Sequence, residues 1–153
     1  MRCLIKKPVI IGAVLLLIVC GGIGYFFFAG SALDRSGKAY VDEAVPAITT
    51  AWLPHELVKR ESPAFLKATS DAQLVKLFDA FRRLGALKSY GGCKGEATVT
   101  NTPNAGKVIT GIYVAQTTFE KGQAQIKVSL IQLNGQWKIQ GFNVDSPVFI
   151  SVP

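Results

Sequence analysis

The stretch that decides the fold is residues 123–145, QAQIKVSLIQLNGQWKIQGFNVD. Apolar and polar residues alternate along most of it and β-branched residues are frequent, which predicts two β-strands. Between the two strands stands Asn134-Gly135, a dipeptide that suits the type I′ turn of a two-residue hairpin. That turn fixes the pairing, so that Leu130 faces Ile139 and Ile131 faces Lys138. The C-terminal part of the chain is therefore predicted to be an antiparallel sheet.

Two further strands are predicted before this hairpin, which gives four strands at about 88–101, 107–119, 123–133 and 136–145. If Lys121-Gly122 is also a two-residue turn, Ile112 lies opposite Ile131. One face of the sheet then collects most of the large apolar side chains and is predicted to be the core, covered by helices. Its members are Tyr113, Ala115, Phe119, Ile126, Val128, Leu130, Trp137 and Ile139.

The opposite face of the sheet carries a second, smaller apolar group. Ile112, Val114 and Ile131 lie on it, and Phe142 joins them if the last strand contains no bulge. A contiguous apolar cluster on a surface often marks an interaction site. These four residues are the predicted partner face, for a protein partner or for self-association. The alternative is that residues 148–150 fold back and cover the cluster.

Helices are predicted before the sheet. Ser70 and Gln73 fit a capping box, and the apolar positions after it follow a helical period up to a C-terminal cap at Gly85; these positions are Leu74, Leu77, Phe78, Phe81 and Leu84. An earlier helical stripe is formed by Val41, Val45, Ile48 and Trp52. Ser36 is its predicted N-cap, and Pro46 is expected to kink or split it. Residues 54–69 are a predicted connection with one helical turn at Ser62-Pro63.

The N-terminus has a different composition. Residues 9–28 contain no charged side chain, and a helix of that length spans a hydrocarbon core of about 30 Å. A retained transmembrane helix is the leading interpretation. A cleaved signal peptide remains an alternative, although its apolar region is usually about 7–15 residues long. A lipoprotein signal ending at Cys20 is a further alternative, opposed by the bulky Val19 before the cysteine.

Basic residues set the predicted topology. Three precede the apolar run and two follow it closely, which favours a cytoplasmic tail at 1–8, a membrane helix at 9–28, a linker at 29–37 and an extracytoplasmic domain at 38–153. The domain would be periplasmic in a bacterium, and the only lipid contact predicted is through the membrane helix. The whole chain carries a net charge of +7, but its basic residues are scattered. Nucleic-acid binding requires clustered charge and is therefore not expected.

The predicted helices, the strand VITGIYVAQTTFE at 108–120 and the ending LNGQWKIQGFNVDSP at 133–147 are similar to the cystatin-like α+β domains of the nuclear-transport-factor-2-like superfamily. The resemblance covers about residues 36–147. It implies two or three helices packed on a curved four-stranded antiparallel sheet, with a pocket between the layers that is catalytic in some members and filled by side chains in others. A membrane anchor joined to such a domain also resembles bitopic assembly subunits of type IV secretion systems and small anchored assembly factors of respiratory complexes.

Catalytic machinery is not predicted. His55 is the one histidine and follows Pro54 in the predicted connection, so we interpret it as a surface residue. Cys93 lies among glycines and is interpreted as a small apolar residue at a strand bulge. In the proton-transfer enzymes of the superfamily that this chain resembles, an acid and a tyrosine lie in the pocket. The resemblance implies Tyr40, Tyr90, Tyr113 and Asp145 as the candidates here, but most inward positions of the sheet are apolar.

No catalytic residue, metal ligand or cofactor is therefore predicted. The expected function is a membrane-anchored, non-enzymatic domain that binds a protein partner or supports assembly of an envelope complex. The alternative is a small-ligand-binding or enzymatic pocket domain of the same fold. The two hypotheses differ in whether the space between the helices and the sheet is open or is filled by side chains, namely those of Trp52, Phe78, Phe81 and Trp137.

Overall fold

The computed structural model describes residues 32–150, and these form an α+β domain in which helices precede a four-stranded antiparallel sheet. Residues 34–150 belong to one compact unit. The predicted tail, the predicted membrane helix at 9–28 and the start of the predicted linker lie outside the described residues. Within 32–150, no helix is both long and apolar enough to cross a membrane.

Within residues 32–150, four helices precede the sheet. Helix α1 covers residues 32–49, α2 is Pro54–Val58, α3 is Pro63–Ala68 and α4 is Asp71–Phe81, followed by a 3-10 turn at Arg82–Leu84. The capping box at the start of α4 is present as predicted, and α3 begins at the predicted Ser62-Pro63, where the structure adds Ser62 as the N-cap. Gly85 follows the 3-10 turn with φ +79°, the left-handed region that glycine tolerates.

Helix α1 differs from the prediction at its start and at Pro46. It already includes residues 32–37, which the sequence assigns to a linker, so Ser36 lies inside the helix and is not its N-cap. Its hydroxyl instead accepts a hydrogen bond of 3.0 Å from the indole Nε1 of Trp137. Pro46 does not split the helix, which continues to residue 49. Pro54 begins a short helix, and His55 lies in that helix rather than in a loop.

The sheet follows as β1 Leu87–Thr102, β2 Gly106–Phe119, β3 Gly122–Leu133 and β4 Gln136–Asp145, each strand paired with the next. The strand bounds agree with the prediction to within one residue. The hairpin at Asn134-Gly135 is confirmed: both residues have positive φ, and Leu130 pairs with Ile139 and Ile131 with Lys138. The β1 and β4 strands are the two edges of the sheet.

The predicted pairing of β2 with β3 is wrong by two residues. The turn is Glu120-Lys121, because Phe119 pairs with Gly122, and Ile112 therefore lies opposite Ser129 rather than opposite Ile131. The backbone N–H groups of Glu120 and Lys121 donate to the carbonyls of Ala86 and Leu84 at 3.0 and 3.1 Å. These contacts with a distant segment select the turn. Because the error is even, every residue keeps its predicted face.

The core lies between the helices and the face of the sheet that the sequence predicts, and all eight predicted members are buried. The helices contribute Val41, Val45, Ile48, Leu74, Phe78, Phe81 and Leu84. Leu77 is a correction, because 38% of it remains exposed on α4. Helix α1 passes close over the sheet at Gly37, where a Cβ atom would lie 2.3 Å from the hydroxyl of Tyr113. We call the covered side of the sheet the inner face and the other side the outer face.

Candidate functional site

The outer face has its own apolar group in the middle of the sheet. Along β2 the inner residues Gly111, Tyr113 and Ala115 are buried, while Ile112 between them is 52% exposed. Successive side chains of a strand point to opposite faces, so Val114 and Val108 share the side of Ile112. Ile131 of β3 pairs with Thr110 and lies diagonally next to Ile112. We define Val108, Ile112, Val114 and Ile131 as the outer patch.

Three of the four predicted partner-face residues lie in this patch. Ile112, Val114 and Ile131 are on the outer face, each with part of its side chain exposed. The sequence prediction omits Val108, although it has the same parity on β2 and the alternation was sufficient to find it.

Phe142 is a correction, because it lies on the inner face and is 8% exposed. Its ring centroid is 6.4 Å from that of Phe81 on α4. The reason is a bulge in β4: Leu130 pairs with Ile139 and Ser129 with Gly141, which leaves Gln140 without a partner on β3. One extra residue reverses the side of every following side chain.

The C-terminal segment does not cover Ile112 in the described part of the chain. Pro147–Phe149 forms a 3-10 turn, and the ring centroid of Phe149 lies 6.1 Å from that of Phe81, on the side of the helices. Ile150 is 82% exposed. The alternative in which residues 148–150 cover the cluster is therefore not what the described residues adopt.

Polar side chains surround the outer patch. Three are lysines at paired positions: Lys94 lies opposite Val114 on one side and Lys127 on the other, and Lys138 lies opposite Ile131. We call these three residues the lysine rim. The remaining neighbours are small or uncharged, apart from Glu96 opposite Ile112; they include Thr98, Thr110, Gln116, Ser129 and Gly141. An apolar centre with a hydrogen-bonding rim is the usual arrangement of a non-obligate protein interface.

A second cluster joins α1 to the edge of β1, and we call it the Asp42 cluster. The Asp42 carboxylate accepts hydrogen bonds from Lys38, from the hydroxyl of Tyr90 at 2.7 Å and from the backbone N–H of Cys93 at 3.2 Å. Partial burial acts to raise the pKa of Asp42, but the hydrogen bonds from Lys38, Tyr90 and Cys93 outweigh it and hold the pKa below its ordinary value.

The same cluster keeps Cys93 protonated. Its thiol is buried at a register shift between Tyr90 and Cys93, as the sequence interpretation has it. Burial and the neighbouring Asp42 raise the pKa of the Cys93 thiol to about 11. Because the thiolate is the reactive form, Cys93 is a poor nucleophile at neutral pH. Burial also raises the pKa of Tyr90. The cluster can hold α1 against β1, but it is not arranged for nucleophilic chemistry.

Asp34 makes a further contact between α1 and β1, farther along the strand. Its carboxylate accepts a hydrogen bond of 2.7 Å from the backbone N–H of Ala97. Asp34 and Asp42 are eight residues apart on a helix, about 12 Å, and Cys93 and Ala97 are four residues apart on a strand, about 13 Å. The matching distances let two carboxylates cap two edge N–H groups, which blocks this part of β1 from pairing with another strand.

Four aromatic side chains fill the space between the helices and the sheet. Trp52, Phe78, Phe81 and Trp137 are all buried. The ring centroid of Trp52 lies 5.3 Å from that of Phe81 and 5.1 Å from that of Phe119. The Trp52 indole Nε1 donates to the carbonyl of Gly85 at 3.0 Å. Aromatic packing of this kind leaves the polar tips paired at the rim of the core.

The acid and base residues considered for a pocket do not come together around a cavity. Tyr113 is fully buried, donates to the carbonyl of Asp34 at 3.2 Å and has a pKa raised to about 12 by burial. Asp145 is exposed at the end of β4. His55 is exposed and contacts Glu56 at 3.2 Å. Among the described residues, no group of three or more His, Cys, Asp or Glu side chains is placed to hold a metal ion.

A shallow groove lies at the β4 edge. It is lined by Tyr40 of α1, by residues around the end of α2, namely Glu56, Lys59 and Arg60, and by Gln136, Trp137 and Lys138 of β4. Lys59 and Arg60 each contact the Glu56 carboxylate at 2.7 Å and lower its pKa to about 2. The segment that follows pairs with β4, since the Arg60 carbonyl accepts from the N–H of Ile139 at 2.7 Å.

Glu61, which follows Arg60 in the chain, is a buried carboxyl group. It is 5% exposed, and its Oε1 has no hydrogen-bond partner among the described residues. Burial raises its pKa, with a further contribution from Asp71. Glu61 also forms a bridge with Ile139, so its backbone belongs to the segment that covers the β4 edge. Glu61 has no distinguishing signal in the sequence, because a Glu between two helices is usually exposed.

No family model matches this chain. No curated protein and no solved structure matches it either. The fold is an α+β domain with helices followed by a four-stranded antiparallel sheet, and such a fold does not by itself imply a function.

Proposed function

We propose that the chain is a non-enzymatic domain that binds a protein partner through the outer patch. The observation that carries the proposal is the exposure of Ile112, 52%, at the centre of a contiguous group of β-branched residues. Single exposed apolar residues are common on soluble proteins, but a contiguous group with a polar rim is the pattern of an interaction surface. Strand residues on a rigid sheet also need little reordering when they bind.

The inner face supports the same proposal from the other side of the sheet. Pocket domains need a concave space with a few convergent polar groups. Here aromatic side chains occupy the space between the layers, and the polar tip of Trp52 is bonded to backbone at its margin. A function that uses the outer face is compatible with a filled interior, whereas an interlayer pocket is not.

The membrane attachment in the proposal comes from residues 9–28. A 20-residue run without charge is long enough to cross a bilayer, and the basic residues before it favour a cytoplasmic N-terminus with the domain outside. We propose that the domain acts at the outer surface of a plasma membrane and supports assembly of an envelope complex. We also propose that it belongs with the nuclear-transport-factor-2-like α+β domains, in the subset whose interlayer space is filled.

The second candidate is a domain that binds a small ligand, and one observation favours it. The groove at the β4 edge places the half-buried ring of Tyr40 and the buried indole of Trp137 beside Lys59, Arg60 and Lys138. Such a combination suits a small anionic ligand with an apolar part. The internal pairing of Glu56 with Lys59 and Arg60 already uses much of that charge, so partner binding remains the proposal.

The test uses the double variant Ile112→Lys, Ile131→Lys in the full chain, compared with wild type in native membranes. Chemical cross-linking followed by size separation measures whether the protein is part of a larger complex. We expect the variant to lose the complex and to remain folded, because both side chains are accessible to water. The control is Val75→Lys on α4, where 51% of the residue is exposed on the helical side. If the complex persists with the double variant, the proposal is wrong.

A further inference from the structure

We propose that the partner bound by the outer patch presents an acidic protein surface; this inference rests on the proposed function and adds the chemistry of the partner. It is carried by the lysine rim. Lys94, Lys127 and Lys138 stand at positions paired with apolar residues of the patch, and Glu96 is the one acidic residue paired directly with it in the described sheet.

The geometry brings these charges close to the apolar centre. Directly paired residues on adjacent strands have Cβ atoms about 4.5–5.5 Å apart. Lys94 and Lys127 therefore flank Val114 from both sides, and Lys138 flanks Ile131. When a partner docks on the outer patch, an acidic side chain of that partner therefore lies within reach of the nearest rim lysine.

The rim charges are not neutralised within the described part of the chain. The ion pairs of residues 32–150 involve other cations, namely Lys38, His55, Lys59, Arg60 and Arg82, and none of the three rim lysines is among them. Uncompensated charge at the rim of an interface steers partners of opposite sign and rejects partners of the same sign.

Positive charge also continues past the edge of the sheet. Lys138 belongs both to the lysine rim and to the groove at the β4 edge, where Lys59 and Arg60 stand against the single acid Glu56. The basic surface thus extends from the outer face around β4. A partner that binds along this surface is expected to carry acidic groups on the side of its apolar centre that faces β4.

Two other occupants fit less well. Two copies of the chain that pack by their outer patches bring six rim lysines together against two copies of Glu96, which is repulsive. A bilayer is normally entered by protruding Trp, Phe or Leu side chains. The outer patch instead consists of Val and Ile in a paired sheet, surrounded by Thr, Ser and Gln that suit hydrogen bonds to a protein.

The test places a photoreactive benzoylphenylalanine at Thr110 of the full chain, between Ile112 and Ile131 in the outer face, and irradiates native membranes. The same group at Val75 on α4 is the control for random collisions. Mass spectrometry identifies the cross-linked peptide. The labelling is then repeated with Lys94→Glu, Lys127→Glu and Lys138→Glu combined. Lys67→Glu, Lys76→Glu and Arg83→Glu give a matched change of net charge at exposed positions of the helical side.

We expect a protein peptide rich in Asp and Glu, with a yield that falls about tenfold with the rim variant and less than twofold with the matched control. The yield is also expected to fall as salt concentration rises. A cross-link to lipid, to a second copy or to a peptide without acidic residues overturns the inference, as does a yield unchanged by the rim variant. A yield at Thr110 no higher than at Val75 contradicts the proposed function itself.

Discussion

Leu130 and Ile131 are neighbours on β3, similar in size and hydrophobicity, yet they lie in opposite environments. Leu130 points to the inner face and is fully buried beneath the helices, whereas Ile131 points to the outer face and keeps part of its surface in water. The comparison shows that apolar character alone does not decide the role of a residue in this sheet. Strand parity decides the face, and the single helical layer decides which face becomes the core.

The largest effect is expected from placing a charge on the inner face. Leu130→Lys buries an ammonium group among apolar side chains without a partner. The free-energy cost exceeds the usual free energy of unfolding of a small domain. We expect this variant not to fold, with loss of the near-ultraviolet circular dichroism signal of the full chain in detergent. A folded Leu130→Lys protein would show that the inner face is not the core.

A smaller but still large effect is expected when packing against the inner face is removed. Phe81 is buried on α4, with its ring next to those of Trp52, Phe78 and Phe142. Phe81→Ala is expected to lower the free energy of unfolding by about 3–5 kcal/mol, because it leaves a cavity. Thermal unfolding measures this, with Val75→Ala on the exposed side of the same helix expected to change little. Equal effects of the two variants would mean that the helix packs in another register.

The sequence predicts strand pairing and the face of each residue correctly only where nearby residues determine them. The β3–β4 register follows from the local geometry of Asn134-Gly135 and is predicted correctly. The β2–β3 register is not, because its turn is selected by hydrogen bonds to Leu84 and Ala86, which are distant in the chain. Phe142 is assigned to the wrong face because the bulge at Gln140 has no local signal in the sequence.

The candidate site is predictable to the same extent as the faces. Alternation alone finds Ile112, Val114 and Ile131, and it also reaches Val108. The lysine rim requires the true register, since only the pairing shows that Lys94 and Lys127 flank Val114. The Asp42 cluster is beyond sequence reasoning, because Tyr90 and Asp42 are 48 residues apart and meet through the packing of α1 on the β1 edge.

An intermediate effect is expected at the edge between the two faces, where the Asp42 cluster lies. Asp42→Ala removes the acceptor of three hydrogen bonds and is expected to cost about 1–3 kcal/mol at neutral pH. Because the folded pKa of Asp42 is lowered, its contribution is complete above the unfolded pKa of about 4 and is lost as the pH falls through the folded pKa.

Urea unfolding of the full chain at pH 7 and at pH 3 tests this. The difference between wild type and Asp42→Ala should shrink at the lower pH. Asp79→Ala is the control, since Asp79 forms an exposed ion pair with Arg82 that contributes little. A difference that grows on acidification would show that Asp42 is not held as a carboxylate by its neighbours.

The smallest effect on stability is expected on the outer face, and its measurement tests the central claim most directly. Thermal unfolding of the full chain with Ile112→Lys and Ile131→Lys, followed by near-ultraviolet circular dichroism, reports whether these side chains are accessible. We predict a native spectrum and a free energy of unfolding within about 1 kcal/mol of wild type, since surface substitutions usually change stability by about 0.5 kcal/mol each. Loss of the folded signal would show that the outer patch is covered within the chain, and would contradict its role as a binding surface.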